Sequence, residues 1–431
     1  MKTIDNYIPR LADKQLSSLL KTFGAVLIRG PKWCGKTTTA EQLAESAIYF
    51  GDKSKESSYQ AIAATNPALF LEGKRPHLVD EWQKYPEVWD AAKTSIDKEN
   101  KGNLYILTGS RAPKKGTTIH TGSMRIAKVT MSTLSFAESH LSNCEVSLAS
   151  LFANPEQNIG AISPLDRQAI SKQIVLGGFP AAFTREYADP SIFGKQALAS
   201  IAESDIQEAT GKDLSPETTR SILRSFARNI STYVENKTII ADVNANDSSL
   251  SATTFYDYYD GLQKLYVIKE VPSYSPSIRS KTAIRSLSKK EFFDPAIACA
   301  ALGIGPGDLE NDPKSRGFFF ECLCGKELGV YAEMLGGELR QYHDRYSLEA
   351  DFTIHLPDGR YALFECKCGS KFIEDGAKGL LAFKPLYQEH NLKFPNEKLP
   401  LPSFLAVITD EGMAYRRTDG VYVIPVGCLT V

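Results

Sequence analysis

A glycine-rich loop that begins at Gly30 has the residue types and the spacing that bind nucleotide phosphates. Residues 30–37 run Gly-Pro-Lys-Trp-Cys-Gly-Lys-Thr and fit the pattern G-x-x-x-x-G-K-[ST] in full. The apolar run 25–28 before the loop predicts a buried strand, and residues 38–43 after it predict a helix. At such a junction, backbone N–H groups and a helix N-terminus point toward one anion. The pattern therefore predicts a phosphate-binding loop.

Individual residues of this loop can be assigned roles toward ATP and Mg²⁺. Lys36 is predicted to reach the β- and γ-phosphates, and Thr37 to offer its hydroxyl to Mg²⁺. The predicted nucleotide contacts in the loop are Gly30, Cys34, Gly35, Lys36, Thr37 and Thr38. ATP is therefore the predicted ligand, and Mg²⁺ the predicted cofactor.

Two further strand ends carry the groups that ATP hydrolysis needs. The apolar run 77–79 is followed by two carboxylates, of which Asp80 is predicted to hold Mg²⁺ and Glu81 to polarise the attacking water. The next predicted strand ends in Thr108 and Ser110. Because open α/β sheets bind ligands at the carboxyl ends of their strands, either hydroxyl is a candidate to sense the γ-phosphate.

Two arginines, Arg111 and Arg125, are candidates to neutralise charge during hydrolysis, although an exposed arginine is more often simply solvated. A second arginine set, at positions 220, 224 and 228, forms one face of a predicted helix. That stripe favours a solvated surface, with phosphate contact as the alternative.

Near the C-terminus, two strand-like segments flank Pro357-Asp358-Gly359, which is typical of a three-residue hairpin loop. Such a loop has glycine in the left-handed region and pairs Leu356 with Arg360. This register puts the apolar residues Phe352, Ile354, Ala362 and Phe364 on one face. It puts the charged residues Glu349, Asp351, Glu365 and Lys367 on the other, with Asp351 opposite Glu365 and Glu349 opposite Lys367.

Those charged residues have the chemistry of a metal-dependent nuclease. Asp351 and Glu365 could hold Mg²⁺ or Mn²⁺, and Lys367 could support a water nucleophile, as in a D…ExK arrangement. The other interpretation is an exposed hairpin face whose charges balance each other in salt bridges, and spacing alone does not separate the two. Residues nearby in sequence could add a carboxylate or contact phosphate: Glu321, Tyr342, His343 and Arg345.

Composition limits the class of protein. A chain of 431 residues predicts two or three domains. With 50 basic and 51 acidic residues, it has no global attraction to nucleic acid, so any such contact needs a local patch. No apolar N-terminal signal and no apolar run of about 20 residues is present, which predicts a cytoplasmic protein without a membrane span. The eight cysteines are expected to be reduced thiols, because C-x-C spacing suits zinc poorly.

The elements that must position these residues divide the chain into three predicted parts. Residues 1–190 begin with a helix over 1–24 and continue with the alternating strands and helices of a parallel sheet. Residues 195–290 are mostly helical, and their helix, helix, helix, strand order is winged-helix-like. The would-be recognition helix carries Asp257 and Asp260 and no basic residue up to Leu262, which disfavours direct contact with DNA phosphates and favours a packing or hinge module.

Taken together, these motifs resemble a large prokaryotic family that joins an AAA-like P-loop ATPase to a C-terminal PD-(D/E)xK nuclease-like domain. Besides the phosphate loop and the C-terminal hairpin, the resemblance extends to residues 7–10, 79–83, 106–110 and 177–180. It implies an α/β protein with a P-loop NTPase parallel sheet and a winged-helix-like middle segment. Residues 291–431 would form a restriction-endonuclease-like α/β domain.

Two functions follow as hypotheses. In the first, ATP hydrolysis through Glu81 gates a nuclease site at Asp351, Glu365 and Lys367 that acts on DNA or RNA. In the second, the C-terminal domain is catalytically inactive, and the protein is an ATP-dependent scaffold that binds a protein or a nucleic acid. AAA-like domains often form rings, so an oligomer is compatible with both hypotheses, although no single residue requires one.

Overall fold

Two β-sheets organise the protein, one of five strands and one of seven. The computed structural model describes residues 7–109, 124–245, 249–277, 286–343 and 348–431. Within these ranges, no helix is both long enough and apolar enough to cross a membrane.

All strands of the first sheet are parallel. They are β1 (Ala25–Arg29), β2 (Ser46–Tyr49), β3 (His77–Asp80), β4 (Tyr105–Gly109) and β5 (Ile126–Thr130). The order across the sheet is β2-β3-β4-β1-β5. The predicted parallel sheet is thus confirmed. Because β1 lies between β4 and β5, the loop that follows β1 leaves from the interior of the sheet's carboxyl edge.

Helices cover both faces of this sheet: α1 (Ala12–Thr22), α2 (Lys36–Leu43), α3 (Glu56–Thr65) and α4 (Glu87–Glu99). Alternate residues of β1 enter opposite cores, as strand geometry requires. Val26 packs in one core with Leu16 of α1. Leu27 packs in the other with Trp89 of α4. The central residues of the inner strands β1, β3 and β4 are apolar and buried because both faces of the sheet are covered there.

A linking region of short elements follows the first sheet. Its elements are β6 (Val146–Ser147), α5 (Leu148–Ala153), β7 (Gly160–Ile162), α6 (Arg167–Leu176), α7 (Ala181–Thr184), α8 (Ile192–Ser200), a π-helical turn (Ile201–Asp205) and α9 (Ile206–Thr210). Single 3₁₀ turns elsewhere in the chain lie at Lys53–Lys55, Pro67–Leu71, Trp82–Lys84, Ser370–Phe372 and Val426–Cys428.

The described residues in the middle of the chain form three helices and then a two-stranded antiparallel pair. The elements are α10 (Pro216–Arg228), α11 (Asn236–Asn244), α12 (Ala252–Lys264), β8 (Ile268–Val271) and β9 (Lys289–Phe292). Ser215 caps α10 through its side chain, and a proline occupies the first turn. On α10, Ile222 and Phe226 are buried while Arg224 and Arg228 are exposed, which confirms the predicted division of its faces.

The second sheet is mixed and lies between helices. Its helices are α13 (Pro295–Leu302), α14 (Pro306–Asn311), α15 (Pro313–Met334), α16 (Ile373–Leu381) and α17 (Phe383–Lys393). Its strands in this region are β10 (Glu338–His343), β11 (Glu349–His355), β12 (Tyr361–Lys367), β13 (Phe404–Thr409), β14 (Met413–Arg416) and β15 (Tyr422–Pro425). The last strand of the chain, β16 (Leu429–Thr430), is not part of this sheet. The order is β10-β11-β12-β13-β15-β14-β7.

The predicted hairpin is confirmed in its register. Leu356 N–H donates to the carbonyl of Arg360 at 2.8 Å, and Gly359 has a φ of 89°. Phe352 pairs with Phe364 and Ile354 with Ala362. These four apolar side chains lie in the core with residues of α15, so the predicted apolar face is confirmed as well.

The linking region belongs physically to the C-terminal sheet. β7, which the predicted boundary at 190 places in the first domain, forms the edge strand beside β14. β6 pairs with β16 near the end of the chain. The apolar core that fills the middle segment and the second sheet also extends back to Phe136. Two strands of two and three residues carry too little periodicity for the sequence to reveal them.

A buried arginine joins the linking region to the C-terminal sheet. Arg316 at the start of α15 donates to Asp410 Oδ2 at 2.8 Å, to Ser171 Oγ at 2.9 Å and to the carbonyl of Arg167 at 3.2 Å. The side chains of Arg316 and Asp410 are 2% and 1% exposed. Removing one partner of such a pair leaves the other charge buried without compensation.

Arg316→Met should therefore lower the free energy of unfolding by about 3–5 kcal/mol. Arg167→Met is the matched control: its side chain is 42% exposed and pairs with Glu310, so a loss below about 1 kcal/mol is expected. Urea unfolding of both variants, followed by circular dichroism, measures the difference. Equal losses in the two variants would contradict a special contribution of the buried pair.

Candidate functional site

The glycines of the phosphate loop are required by its backbone. Gly30 and Gly35 have φ values of 150° and 95°. A Cβ atom at Gly30 would lie 2.0 Å from the carbonyl oxygen of Met131, which follows β5. The loop is thus pressed against the neighbouring strand, and Gly35 leads directly into the first turn of α2. This arrangement directs the N-terminus of α2 at the concave side of the loop.

Lys36 lies at the loop, as the motif requires. Its side chain is buried, and its ammonium donates to the carbonyl of Gly30 at 3.1 Å and to that of Pro31 at 2.7 Å. These bonds use two of the three N–H groups of the ammonium. The positive charge is therefore held inside the loop.

Two hydroxyl groups from different elements converge on one carboxylate oxygen of Asp80. Thr37 Oγ1 donates to Asp80 Oδ1 at 2.7 Å, and Thr108 Oγ1 donates to the same oxygen at 2.6 Å. Asp80 and Thr108 are paired residues of β3 and β4, and Thr37 lies in the first turn of α2. Hydroxyl and carboxylate oxygens are ligands for hard cations. Thr37 and Asp80 therefore fit a Mg²⁺ ion beside the phosphate loop.

Glu81 is held by a residue that sequence reasoning did not single out. It has a φ of 57°, and its carboxylate accepts a hydrogen bond from Gln83 Nε2. Its N–H donates to Thr108 Oγ1 at 3.4 Å. Among the described residues, Gln83 Oε1 is buried without a hydrogen-bond donor. The only signal for Gln83 in the sequence is its place two residues after Glu81, within the run 79–83.

Arg10 fixes the phosphate loop through buried hydrogen bonds. Its buried guanidinium donates to the carbonyl of Cys34 at 2.7 Å, to that of Ser132 at 2.8 Å, and to Glu138 Oε1 at 2.9 Å. Burial alone would raise the pKa of Glu138, but the charge of Arg10 lowers it below its usual value. In the sequence, only the family resemblance, through residues 7–10, points to Arg10, because one arginine before a helix gives no motif of its own.

A cavity of about 390 Å³ opens beside the first turn of α2. Its walls come from the segment before α1, from the loop and α2, and from the region around Pro180. The residues that line it are Tyr7, Ile8, Arg10, Gly35, Thr38, Thr39, Leu134, Pro180, Ala181, Thr184 and Arg185. Its volume lies within the range of small-molecule sites.

The remaining predicted residues of this site have different positions. Thr38 lines the cavity, whereas Cys34 is buried beneath the loop, with Sγ 3.8 Å from the carbonyl of Met131. Arg125 precedes β5, at the edge of the sheet opposite the loop, and pairs with Asp97 at 2.5 Å. It therefore does not reach the phosphate loop of its own chain. Ser110 and Arg111 lie outside the described residues.

The C-terminal residues Asp351, Glu365 and Lys367 lie close together at the end of the hairpin. The ladder stops at Phe352 and Phe364, so Asp351 and Glu365 are not a ladder pair. Instead, Asp351 Oδ2 accepts the N–H of Cys366 at 2.7 Å. Lys367 Nζ donates to Glu365 Oε1 at 2.7 Å.

Two residues from other elements complete this cluster. Glu321 of α15, predicted as a further carboxylate, forms an ion pair with Lys289 of β9. The same ammonium lies 3.7 Å from Asp351 Oδ1 and donates to the carbonyl of Asp351 at 3.2 Å. Lys289 was not recognised in the sequence, because the lysine pair 289–290 carries no motif and the contact residues of Lys289 are distant in the chain.

The electrostatics of the cluster are those of crowded, buried acids. Burial, and then the charge of Asp351, raise the pKa of Glu365 to about 7 despite the opposing charge of Lys367. Burial and Asp351 also raise the pKa of Glu321 well above its usual value. Burial would lower the pKa of Lys289, but Glu321 and Asp351 raise it. Lys289 and Lys367 therefore stay protonated, and the crowded carboxyl groups of the cluster share these two positive charges.

Near the cluster in sequence lie Glu349 of the predicted charged face and the residues predicted to contact phosphate. Glu349 accepts a hydrogen bond from Tyr233 at 3.0 Å, and the ring of His343 stacks on Tyr233 with centroids 5.1 Å apart. Lys367 forms its ion pair with Glu365, rather than with Glu349, the residue predicted to lie opposite it. Tyr342 is buried against Phe383, which corrects the prediction that it contacts phosphate. Arg345 lies outside the described residues.

The described residues contain no group of three His, Cys, Asp or Glu side chains arranged to hold a metal ion. At the C-terminal cluster, the ammonium of Lys289 lies between Glu321 and Asp351. The predicted ligands Asp351 and Glu365 thus supply suitable oxygens, and lysines already neutralise them. The eight cysteines are all unpaired thiols.

Comparison with protein families identifies three regions of the chain. Residues 22–140 match the model of an AAA domain. Residues 167–308 match a domain of unknown function, DUF8612, and residues 316–429 match another, DUF4143. No curated protein matches the chain. The AAA match contains the five-stranded sheet, the phosphate loop and Asp80, so the chain carries an AAA-like ATPase domain, as predicted.

Solved structures give more distant matches. The chain is similar to a Walker-type ATPase of Pyrococcus abyssi, with 14% identity, a TM-score of 0.43, and coverage of 69% of this chain and 96% of that one. It is also similar to a signal transduction ATPase with numerous domains and a tetratricopeptide repeat sensor from Pyrococcus horikoshii. That match has 12% identity, a TM-score of 0.25, and coverage of 77% of this chain and 50% of the other.

The raised pKa of Glu365 predicts a pH dependence of stability. The folded protein binds this proton more tightly than the unfolded chain, whose carboxyl has a pKa of 4.5. The contribution to stability is therefore complete below pH 4.5 and is lost as the pH rises through about 7. In metal-free buffer, wild type should lose up to about 1 kcal/mol per pH unit more than Glu365→Gln across this window. Thermal unfolding at several pH values measures this.

Glu389→Gln is the control for that experiment, because the Glu389 side chain is 60% exposed and pairs with Lys393 on the surface of α17. This variant should keep the pH dependence of wild type. If wild type and Glu365→Gln had parallel profiles between pH 4.5 and 7, Glu365 would not hold its proton in the folded state.

Proposed function

We propose that this protein binds ATP with Mg²⁺ at the phosphate loop, hydrolyses it, and uses that cycle to control its C-terminal site. The observation that carries the ATPase proposal is the convergence of Thr37 and Thr108 on Asp80 Oδ1, at 2.7 and 2.6 Å. A hydroxyl from the loop and an acid at the end of another strand are the protein ligands that Mg²⁺ takes in P-loop enzymes. The AAA match of residues 22–140 supports the same proposal.

In the proposed reaction, water attacks the γ-phosphorus of ATP, and ADP leaves. Backbone N–H groups of the loop and the ammonium of Lys36 would bind phosphate oxygens and stabilise the charge that develops on them. Lys36 would exchange its bonds to the carbonyls of Gly30 and Pro31 for bonds to phosphate. When bound, Mg²⁺ would neutralise charge on the phosphate oxygens.

Glu81 would orient and polarise the attacking water. Its carboxylate accepts a hydrogen bond from Gln83, so hydrolysis requires that the carboxylate turn from Gln83 toward water. Thr108 contacts both the N–H of Glu81 and the carboxylate of Asp80. It is therefore placed to change its bonds when the γ-phosphate is lost. Gln83 is a positioning residue in this proposal, because it acts through Glu81.

The cavity beside α2 supports binding of the nucleoside part of ATP. It adjoins Gly35 and Thr38, so a ligand whose phosphates lie at the helix N-terminus can extend into it. Apolar walls from Ile8 and Pro180 suit a flat base, and Thr184 offers a hydroxyl. The cavity joins the segment before α1 to the region after α6, so a bound nucleotide would fasten the two together.

Contacts between the phosphate loop and the helical region support control of the rest of the chain by ATP. Lys32 of the loop forms an ion pair with Asp205, which is buried in the π-helical turn. Trp33 lines a narrow gap with Tyr266 and Val267, the residues that precede β8. π-helical turns occur frequently at functional sites. A phosphate that draws Lys32 away would leave the charge of Asp205 without its partner.

The second candidate function is a nuclease-like one at the C-terminal cluster. The observation that favours it is the grouping of Asp351, Glu365 and Lys367 at the end of one hairpin, with Glu321 from α15 beside them. When bound, a divalent cation would supply an activated water, and Asp351 and Glu365 would hold it. The alternative is a scaffold whose cluster only stabilises the fold, and the ion pairs of both lysines favour that alternative.

We also propose that the middle segment, predicted at residues 195–290, is a winged-helix-like module formed by α10, α11, α12, β8 and β9. The order of three helices and an antiparallel pair supports this. On α12, Asp257 pairs with Lys212, and Asp260 is also acidic, so contact of this helix with phosphates would be repulsive. The proposed role of the module is therefore to transmit movement between the two sites, rather than to read nucleic acid.

Lys36→Ala should lower ATP turnover by about 10²-fold or more, because it removes a charge that stabilises the transferred phosphoryl group. Glu81→Gln should lower kcat by a similar factor and keep ATP affinity, because the amide is isosteric but does not polarise water. Phosphate release and fluorescent-nucleotide binding measure the two quantities. Lys21→Ala, at an exposed position on α1, is the matched control. Normal turnover by Lys36→Ala would assign hydrolysis to another site.

Glu365→Ala should abolish cleavage of nucleic acid while ATP turnover stays at the wild-type rate. Labelled single- and double-stranded DNA and RNA, with Mg²⁺ or Mn²⁺ and with or without ATP, test this. Glu349→Ala is the control, since that carboxylate lies nearby but bonds to Tyr233. Cleavage that persists in Glu365→Ala would refute the assigned site. Absence of cleavage in wild type, with ATP turnover present, would favour the scaffold.

A further inference from the structure

One lysine of the middle segment reaches into the carboxylate cluster of the C-terminal sheet. The side chain of Lys289 is 1% exposed. Its ammonium forms an ion pair with Glu321, lies 3.7 Å from Asp351 Oδ1, and donates to the carbonyl of Asp351 at 3.2 Å. The rings of Phe352 and Tyr233 lie 5.0 and 5.6 Å from it. Oxygens and aromatic faces thus surround the ammonium, as in a built cation site.

The same oxygens are those that a divalent cation would take. Mg²⁺ and Mn²⁺ prefer carboxylate and carbonyl oxygens, and Glu321 and Asp351 offer these at the end of the hairpin. An ammonium and a divalent cation repel each other strongly at a separation of a few ångströms in a buried site. The two cations therefore compete for one place.

We propose that Lys289 is an internal plug: its ammonium occupies the cation position of the C-terminal cluster and excludes divalent cations until β8 and β9 move. This inference rests on the proposed C-terminal site and names its regulation. The cluster as it stands has the carboxyl groups of Glu321, Asp351 and Glu365 beside the ammonium groups of Lys289 and Lys367. Withdrawal of Lys289 leaves three carboxyl groups and one ammonium, and carboxylate oxygens are the ligands that a hard divalent cation takes.

The plug comes from an element that also contacts α15 through a buried charge. Besides Lys289, the inner face of β8 and β9 presents Lys269, which donates to the carbonyl of Gly325 in α15 at 3.4 Å. Glu291, on the same face, accepts a hydrogen bond from Ser231 of the middle segment at 3.1 Å. Buried ionic contacts are stable only while each partner is present. A cation at Glu321 and Asp351 would take the partners of Lys289, so binding of the cation and docking of the strand oppose each other reciprocally.

The adjacent lysine supplies a matched control. Lys290 lies on the opposite face of β9, where it pairs with Glu270 at 3.0 Å and contacts Tyr259. Lys289→Met and Lys290→Met therefore remove the same charge from the same strand. Only the first removes it from the cluster.

The experiment is titration of the full-length, nucleotide-free protein with Mn²⁺, with free Mn²⁺ followed by electron paramagnetic resonance. Lys289→Met should gain one site per chain that binds about tenfold or more tightly than wild type, as expected when a competing ligand is removed. Lys290→Met should match wild type. Asp351→Asn in the Lys289→Met background should abolish the gained site, which separates it from the site at Asp80.

A second variant guards against misfolding. Lys289→Gln removes the charge but keeps a hydrogen-bond donor for Glu321, and it should show the same gain. If wild type already binds Mn²⁺ at the cluster as tightly as Lys289→Met and Lys289→Gln, the plug is refuted and the proposed cation site stands. If both variants fold, with the wild-type circular dichroism spectrum and wild-type ATP turnover, but gain no site, the plug and the C-terminal cation site are both refuted. The proposed ATPase is unaffected by that result.

Discussion

The structure depends on one constraint: a charge that is taken out of water must find an opposite charge, and here the partners come from different parts of the chain. Arg10 pairs with Glu138 and donates to the carbonyl of Cys34, and thereby fixes the phosphate loop to the segment that follows β5. Arg316 pairs with Asp410 and joins the linking region to the second sheet. Lys289 pairs with Glu321 and joins the middle segment to the same sheet. Each pair fixes the relative position of two elements that the sequence separates widely.

The two chemical sites differ in how their charges are satisfied. At the phosphate loop, the acid Asp80 is bonded by neutral hydroxyls, and the lysine is bonded by neutral carbonyls, so cation and anion sites stay separate and accessible to exchange. At the C-terminal cluster, ammonium groups are already bonded to the acids. The first arrangement is suited to binding a ligand directly. The second is suited to binding a cation only after a movement, which gives a physical reason to regard it as the regulated site.

The middle segment connects these two sites. Lys32 of the phosphate loop pairs with Asp205 in the π-helical turn that precedes this segment, and the antiparallel pair of the segment carries Lys289. Tyr266, with a φ of 57°, links the last helix to the first strand and lies beside Trp33 of the phosphate loop. A change at the loop and a change at the cluster would thus both act on one small element. The apolar core of this segment is continuous with that of the second sheet.

The sequence by itself determined whatever depends on local pattern. The phosphate loop, Asp80 at a strand end and the hairpin register around Pro357 follow from motif spacing, residue alternation and turn chemistry, and the structure has all of them. The tertiary structure alone decided which distant side chains meet. Arg10, Gln83 and Lys289 act through contacts that no periodicity encodes. Short strands such as β7 join a sheet only because burial and hydrogen bonding there outweigh their weak local preference.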